Sequence, residues 1–159
     1  MRISVICVGK IKEKYFTMGI EEYCKRLSRY CKLEIIEVSD EKTPDHASEM
    51  EEQQIREKEG ERLLKYIKED VYVIALAIEG QQLDSVALSR RIEKLGIDSV
   101  SHIAFVIGGS LGLDQRILQR ANEKWSFSKM TFPHQMMRMI LLEQIYRGFR
   151  IMKNEPYHK

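Results

Sequence analysis

Two short stretches of this chain carry residues whose types and spacing could build a small-molecule site. Phe127-Ser128-Lys129-Met130-Thr131-Phe132-Pro133-His134-Gln135 runs from the end of an apolar segment to the start of a long helical pattern. A loop there brings backbone N–H and C=O groups close to a ligand, and Pro133 suits the first residue of the following helix. Nineteen residues before Phe127, the strand-like run His102–Ile107 breaks into Gly108-Gly109-Ser110-Leu111-Gly112. Glycines allow a ligand to approach the main chain closely. One polar loop and one glycine-rich loop, each following a strand, read as two walls of a single site.

The glycine loop does not fit the common nucleotide patterns. It is not G-x-G-x-x-G, and no Gly-Lys-Ser/Thr follows it, so neither a dinucleotide fingerprint nor a phosphate-binding loop is present. It does match G-x-S-x-G between a strand and a helix, the context of a hydrolase nucleophile. Asp114, four residues beyond Ser110, is badly placed to orient a histidine that also touches that serine, which disfavours a serine hydrolase. The pattern fits better as a ligand loop that uses its backbone amides. No Cys-x-x-Cys occurs, and His46, His102, His134 and His158 are scattered, so no metal site is expected. Cys7, Cys24 and Cys31 are an odd number at wide spacing, which argues against a disulfide framework.

These loops need elements to hold them. Residues 2–8 form a buried-strand pattern ending at Gly9, and residues 12–27 are helical by their three- and four-residue spacing. Residues 33–38 predict a second strand. Ser48 with Glu51 forms a capping box for a helix to about Lys68, whose charged early turns should face solvent. Residues 71–78 predict a third strand, apolar on both faces and ended by Gly80. A helix from Ser85 to about Leu95, a strand over 102–107, a helix from Leu113 to about Asn122, a short strand over 125–127 and a helix from Pro133 to about Met152 complete the chain. This alternation means an α/β fold with a mostly parallel sheet. Ligands of such sheets bind beyond the carboxyl ends of strands, which selects 76–80, 108–112 and 127–132.

Length and composition fit one globular domain spanning 1–159, with 43% hydrophobic and 31% charged residues. No apolar run approaches the ~18–20 residues of a membrane span, and the N-terminus reads as a strand rather than a leader. A cytoplasmic protein is expected, with no membrane partner. Net charge is +2, but residues 1–32 carry eight Lys/Arg against three Asp/Glu and residues 116–159 carry nine against three. Residues 33–70 carry six against thirteen. Two basic ends leave open a polyanionic partner such as RNA. The last helix is apolar on more than one face, and five of the eight methionines fall between residues 130 and 152. It therefore needs a second packing surface, for which a two-fold homodimer is the commonest answer. Arg138, Arg147 and Arg150 interrupt that apolar surface, and Tyr157-His158-Lys159 closes the chain with groups able to stack on a base, move a proton and hold a phosphate.

Several motifs together resemble one family. Val106–Leu113, Phe127–Gln135, Met136-Met137-Arg138, Leu142-Glu143-Gln144-Ile145-Tyr146-Arg147, the ending Pro156-Tyr157-His158 and the opening Val8–Tyr15 closely resemble the ribosomal RNA large subunit methyltransferase H family, over the whole chain. The resemblance implies a SPOUT-type α/β fold, with helices on both faces of the sheet and a C-terminal trefoil knot, acting as a homodimer. It implies S-adenosyl-L-methionine as methyl donor, no metal, and N3 of a pseudouridine in the helix 69 loop of 23S rRNA in the assembled ribosome as target, with no role for DNA. Carried over by position, the donor should contact Leu76, Gly108, Phe127, Ser128, Lys129, Met130, Thr131 and Phe132. His158 is the expected proton acceptor, with His134 as its rival, Tyr157 the stacking or orienting group, and Arg138 the stabiliser of developing negative charge.

Overall fold

A computed structural model describes residues 1–159. The elements alternate as expected: β1 (Arg2–Val8), α1 (Lys14–Leu27), β2 (Lys32–Val38), α2 (Glu49–Leu64), β3 (Tyr72–Gln82), α3 (Ser85–Ile97), β4 (His102–Ile107), α4 (Gln115–Arg120), β5 (Glu123–Ser126) and α5 (His134–Met152). The five strands form one sheet in the order β2-β1-β4-β3-β5, and every pairing is parallel.

Helices cover both faces, and the interior strands β1 and β4 show why their residues are buried on both sides. Ile3, Val5 and Cys7 of β1 join Ile103, Phe105 and Ile107 of β4 under α1, α3 and α5. The alternate residues Ile6 and Val8, with Ala104 and Val106, join Leu63 and Ile117 under α2 and α4. The period-two alternation of a strand thus feeds two separate cores. Ser48 caps α2 as its sequence predicts: its hydroxyl accepts from the Glu51 N–H at 3.1 Å, and Glu51 Oε1 accepts from the Ser48 N–H at 3.3 Å.

Three boundaries differ from expectation in ways that matter for the site. Gly80 does not end β3; the strand runs on to Gln82. Leu76 and Gln81 both pair with Trp125, so residues 77–80 bulge out between two stretches of one ladder. A Cβ on Gly80 would lie 2.7 Å from the Lys124 carbonyl carbon, so a glycine is what lets the bulge close onto β5. The last strand is Glu123–Ser126, leaving Phe127 in the loop. Pro133 precedes α5 as its N-cap, with extended backbone, rather than forming its first turn.

Candidate functional site

Three chain segments leave the carboxyl end of the sheet beside one another. The first is the β3 bulge, the second the glycine loop after β4, the third the loop from β5 to α5. Together they surround a cavity of about 430 Å³, within the ~300–1,000 Å³ usual for small-molecule sites. Leu76, Gly108, Phe127, Ser128, Met130, Thr131 and Phe132 all line it. Lys129, the remaining donor-site residue expected from the sequence, points out of that lining and is exposed.

Each wall has a local cause. Gly112 holds φ of +83°, a conformation that favours glycine, and its N–H donates to the Gly109 carbonyl at 3.1 Å. A Cβ on Gly108 would stand 2.7 Å from the Gly112 carbonyl carbon, so the loop can fold back on itself only with glycine there. In the third segment, the Ser126 hydroxyl donates to the Ser128 carbonyl at 3.0 Å and Ser128 Oγ accepts from the Met130 N–H at 2.9 Å. Those serine bonds fix the turn, leaving other main-chain groups free for a ligand. The interior mixes this backbone with apolar side chains, among them Ile107, Leu113 and Trp125.

Arg56 of α2, Leu118 of α4 and Met137 of α5 also line the cavity and were not legible in the sequence. Arg56 sits among the charges of a helix that reads as solvated, and nothing in its spacing separates it from them. Glu79 and His134 complete the ionisable lining. Burial, reinforced by the nearby Arg138 guanidinium, pushes the His134 imidazole below its ordinary range and favours the neutral ring. The Ser110 side chain has no histidine partner: His102 is bonded to Ser4 and His158 to Arg147. Asp114 Oδ2 instead accepts from Arg116 Nε at 2.7 Å. A hydrolase triad is not assembled.

The remaining candidates lie elsewhere. Arg138 is 1% exposed. Its Nη1 donates to Glu37 Oε2 at 2.6 Å, and its Nη2 to the carbonyls of Val8 and Gly9 at 3.1 and 2.6 Å. The guanidinium therefore faces the end of β1 rather than the cavity of its own chain. The strand's last carbonyls need donors, and a periodicity argument cannot see them.

The tail is docked rather than frayed. Tyr157 donates to Glu143 Oε1 at 3.0 Å and meets the Tyr146 ring edge-on at a centroid distance of 4.9 Å. Arg147 covers the Tyr157 ring at 4.6 Å and places its Nη1 3.2 Å from His158 Nδ1. Burial, then the hydrogen bond to Glu143, pushes the Tyr157 phenol up to about 12, so it stays protonated at neutral pH. Arg150 holds the approach to the tail through Glu155 at 2.5 Å and the Pro156 carbonyl at 2.6 Å. The cavity touches α5 at His134 and Met137, whereas the tail touches it at Glu143, Tyr146 and Arg147. The nearest of these, Met137 and Glu143, are six residues apart, or roughly 9 Å along the helix. Within one chain the cavity and the tail are separate.

An all-parallel α/β sheet with a main-chain-lined cavity at the ends of β3, β4 and β5 is the form of a SPOUT methyltransferase, and the family model described as a predicted SPOUT methyltransferase matches residues 1–158. Proteins named ribosomal RNA large subunit methyltransferase H are 62% identical to this chain in Bifidobacterium animalis subsp. lactis and in Clostridium tetani, and 60% identical in Clostridium kluyveri. Each match covers 159 residues and all of both chains. A solved structure of a probable methylase family protein from Haemophilus influenzae shares the fold at 12% identity, with a TM-score of 0.54 over 99% of this chain and 70% of its own. The chain belongs to the SPOUT methyltransferases and, within them, to the ribosomal RNA large subunit methyltransferase H family.

Proposed function

We propose that this protein transfers a methyl group from S-adenosyl-L-methionine to N3 of a pseudouridine in the helix 69 loop of 23S rRNA, acting on the assembled ribosome. It works as a cytoplasmic homodimer with a knotted C-terminal part. The observation that carries the proposal is the meeting of seven expected donor-contact residues around one cavity whose walls are main chain and apolar side chains.

That lining suits the donor's chemistry. Adenine and ribose need hydrogen bonds of fixed geometry beside apolar surface, which the loops around Gly108 and Ser128 can offer; Lys129 sits at their rim. When bound, the sulfonium supplies an already electrophilic methyl group. The protein's task is then to orient the acceptor nitrogen and to remove its imide proton. The glycine-loop crossing, in which a Cβ at Gly108 would strike backbone, is the local feature that fits a ligand read by the main chain.

The acceptor-side groups are assigned to the tail. His158 accepts the imide proton at Nδ1 once that nitrogen parts from Arg147 Nη1, and Tyr157 orients the base as a neutral phenol. Arg147, rather than Arg138, is the guanidinium beside them. The apolar, methionine-rich α5 is the natural surface for pairing two copies of the chain.

The test is transfer of labelled methyl groups from S-adenosyl-L-methionine to ribosomes lacking the modification, followed by mass analysis of the helix 69 fragment. The expected product carries one added methyl on pseudouridine. Absence of transfer to ribosomes by a protein that binds the donor would refute the assigned target.

A further inference from the structure

The middle of α2 reaches the glycine loop from behind with a residue outside the cavity lining. Glu59 is 4% exposed. Its Oε2 accepts from the Glu41 N–H at 3.0 Å, and its Oε1 has no partner. A Cβ built on Gly109 would stand 3.1 Å from Glu59 Oε1, 3.3 Å from Oε2 and 3.2 Å from Val8 Cγ1. The carboxyl group therefore lies against the loop, outside the cavity lining.

The neighbouring contacts make the attachment rigid. Gly60 packs so closely on Asp114 that a Cβ there would come within 2.7 Å of the Asp114 Cβ. Arg116 Nη2 donates to the Glu57 carbonyl at 2.8 Å. Both ends of the 108–114 segment are thus braced, one by β4 and the other by α2. Burying a carboxyl group with one oxygen unpaired is costly. Burial and the nearby Asp40 push Glu59 above the usual carboxylate range, while Glu41 N–H and Arg62 oppose this. A leucine would fill the space at less cost if filling were the only need.

We propose that Glu59 is a positioning residue for the methyl-donor loop: anchored through the Glu41 N–H, its carboxyl group bears on Gly109 and sets where the Gly108–Gly112 backbone stands in the cavity. This rests on the donor-site assignment above and extends it to a residue that never touches the donor. Glu59, together with Val8 Cγ1, then leaves little space for a side chain at position 109.

The test is a double-mutant cycle read by calorimetric titration of the full-length protein with S-adenosyl-L-methionine, with thermal melting as a check on folding. Glu59→Ala and Gly109→Ala should each weaken donor binding by about tenfold, while Glu59→Gln, which keeps an acceptor for Glu41 N–H, should stay within about threefold of the parent. In the Glu59→Ala background the Gly109→Ala penalty should shrink to about threefold or less, since only the Val8 Cγ1 methyl, at 3.2 Å, then crowds the new methyl group. If Glu59→Ala does not fold, Glu59→Asp, which withdraws the carboxyl group by one methylene, runs the same cycle. Additive penalties, or a folded Glu59→Ala or Glu59→Asp protein that binds the donor like the parent, would overturn the inference alone. A parent protein that binds no donor would overturn the donor-site assignment and this inference with it.

Discussion

Arg138 donates to the Gly9 carbonyl oxygen at 2.6 Å and joins the start of α5 to the end of β1. Gly9 itself holds φ of +87°, and a Cβ there would approach His134 Nε2 to 3.6 Å. One buried cation therefore ties the chain's first strand to the helix that borders the cavity. Replacing it with methionine should destabilise the protein by about 2–4 kcal/mol, because two carbonyls lose their donor. Glu37 is about one-third exposed and can be rehydrated, which keeps the loss to the lower part of that range. Urea unfolding monitored by Trp125 fluorescence measures it; an unchanged midpoint would mean that Arg138 is not the tie its geometry suggests.

Gly108→Ala should remove donor binding while leaving the sheet intact. The added methyl group meets the backbone of Gly112 and Leu113, and backbone cannot move aside as a side-chain tip can. A loss of more than about tenfold in donor affinity, with far-ultraviolet circular dichroism preserved, is the expected result.

Deleting residues 157–159 should abolish methyl transfer to ribosomes with donor affinity unchanged, because the tail packs away from the cavity of its own chain and is assigned to the acceptor side of the partner's. Normal transfer by the truncated protein would remove Tyr157 and His158 from the mechanism. Equal loss of donor binding would place the tail on the donor side instead.

His134 gives a pH signature with a defined sign. Its folded-state value lies below the ordinary 6.5 because burial disfavours the charged ring. Below pH 6.5 the unfolded chain takes up a proton that the folded protein resists, so stability falls as the solution is acidified and is fully present above that value. His134→Gln removes this contribution, and its unfolding free energy should fall less steeply than the parent's below pH 6.5. His102 shifts in the same direction, so the difference between the two curves, not the parent's curve, is the quantity to read. Parallel curves would show that the imidazole is not held neutral.

Ribosome binding should weaken with added salt, since the assigned partner is a polyanion met by Lys and Arg. Filter binding at about 50 and 200 mM salt should show a drop of at least tenfold. A flat response would exclude phosphate contacts as the main source of affinity.

The loops that line the cavity were legible because they follow a rule of topology. Once Leu76, Gly108 and Phe127 are placed at the ends of parallel strands, the sheet brings them together whatever the loops contain. The Ser48–Glu51 capping box was legible for a similar reason, its chemistry being local. Arg56, Met137 and Arg138 were not, because their roles depend on which way a helix turns once packed. Gly80 marked a special backbone position, but sequence could not separate the end of a strand from a bulge that returns to the same neighbour. The tail's motif was visible, while its separation from the cavity depends on where it docks along α5.

The strand order also governs the moment at which a growing chain can close. β1 and β2 pair early, but the other edge of β1 belongs to β4, and β3 has no partner until β4 and β5 follow it. A ribosome that has made only the first hundred residues therefore holds an open β-edge and an orphan apolar segment, Val71–Ile78, in search of neighbours. Emergence of His102–Ile107 closes the open edge of β1 and one edge of β3, and Glu123–Ser126 closes the other. Closure of the sheet is consequently late, and β3 keeps an exposed edge until about four-fifths of the polypeptide has been synthesised.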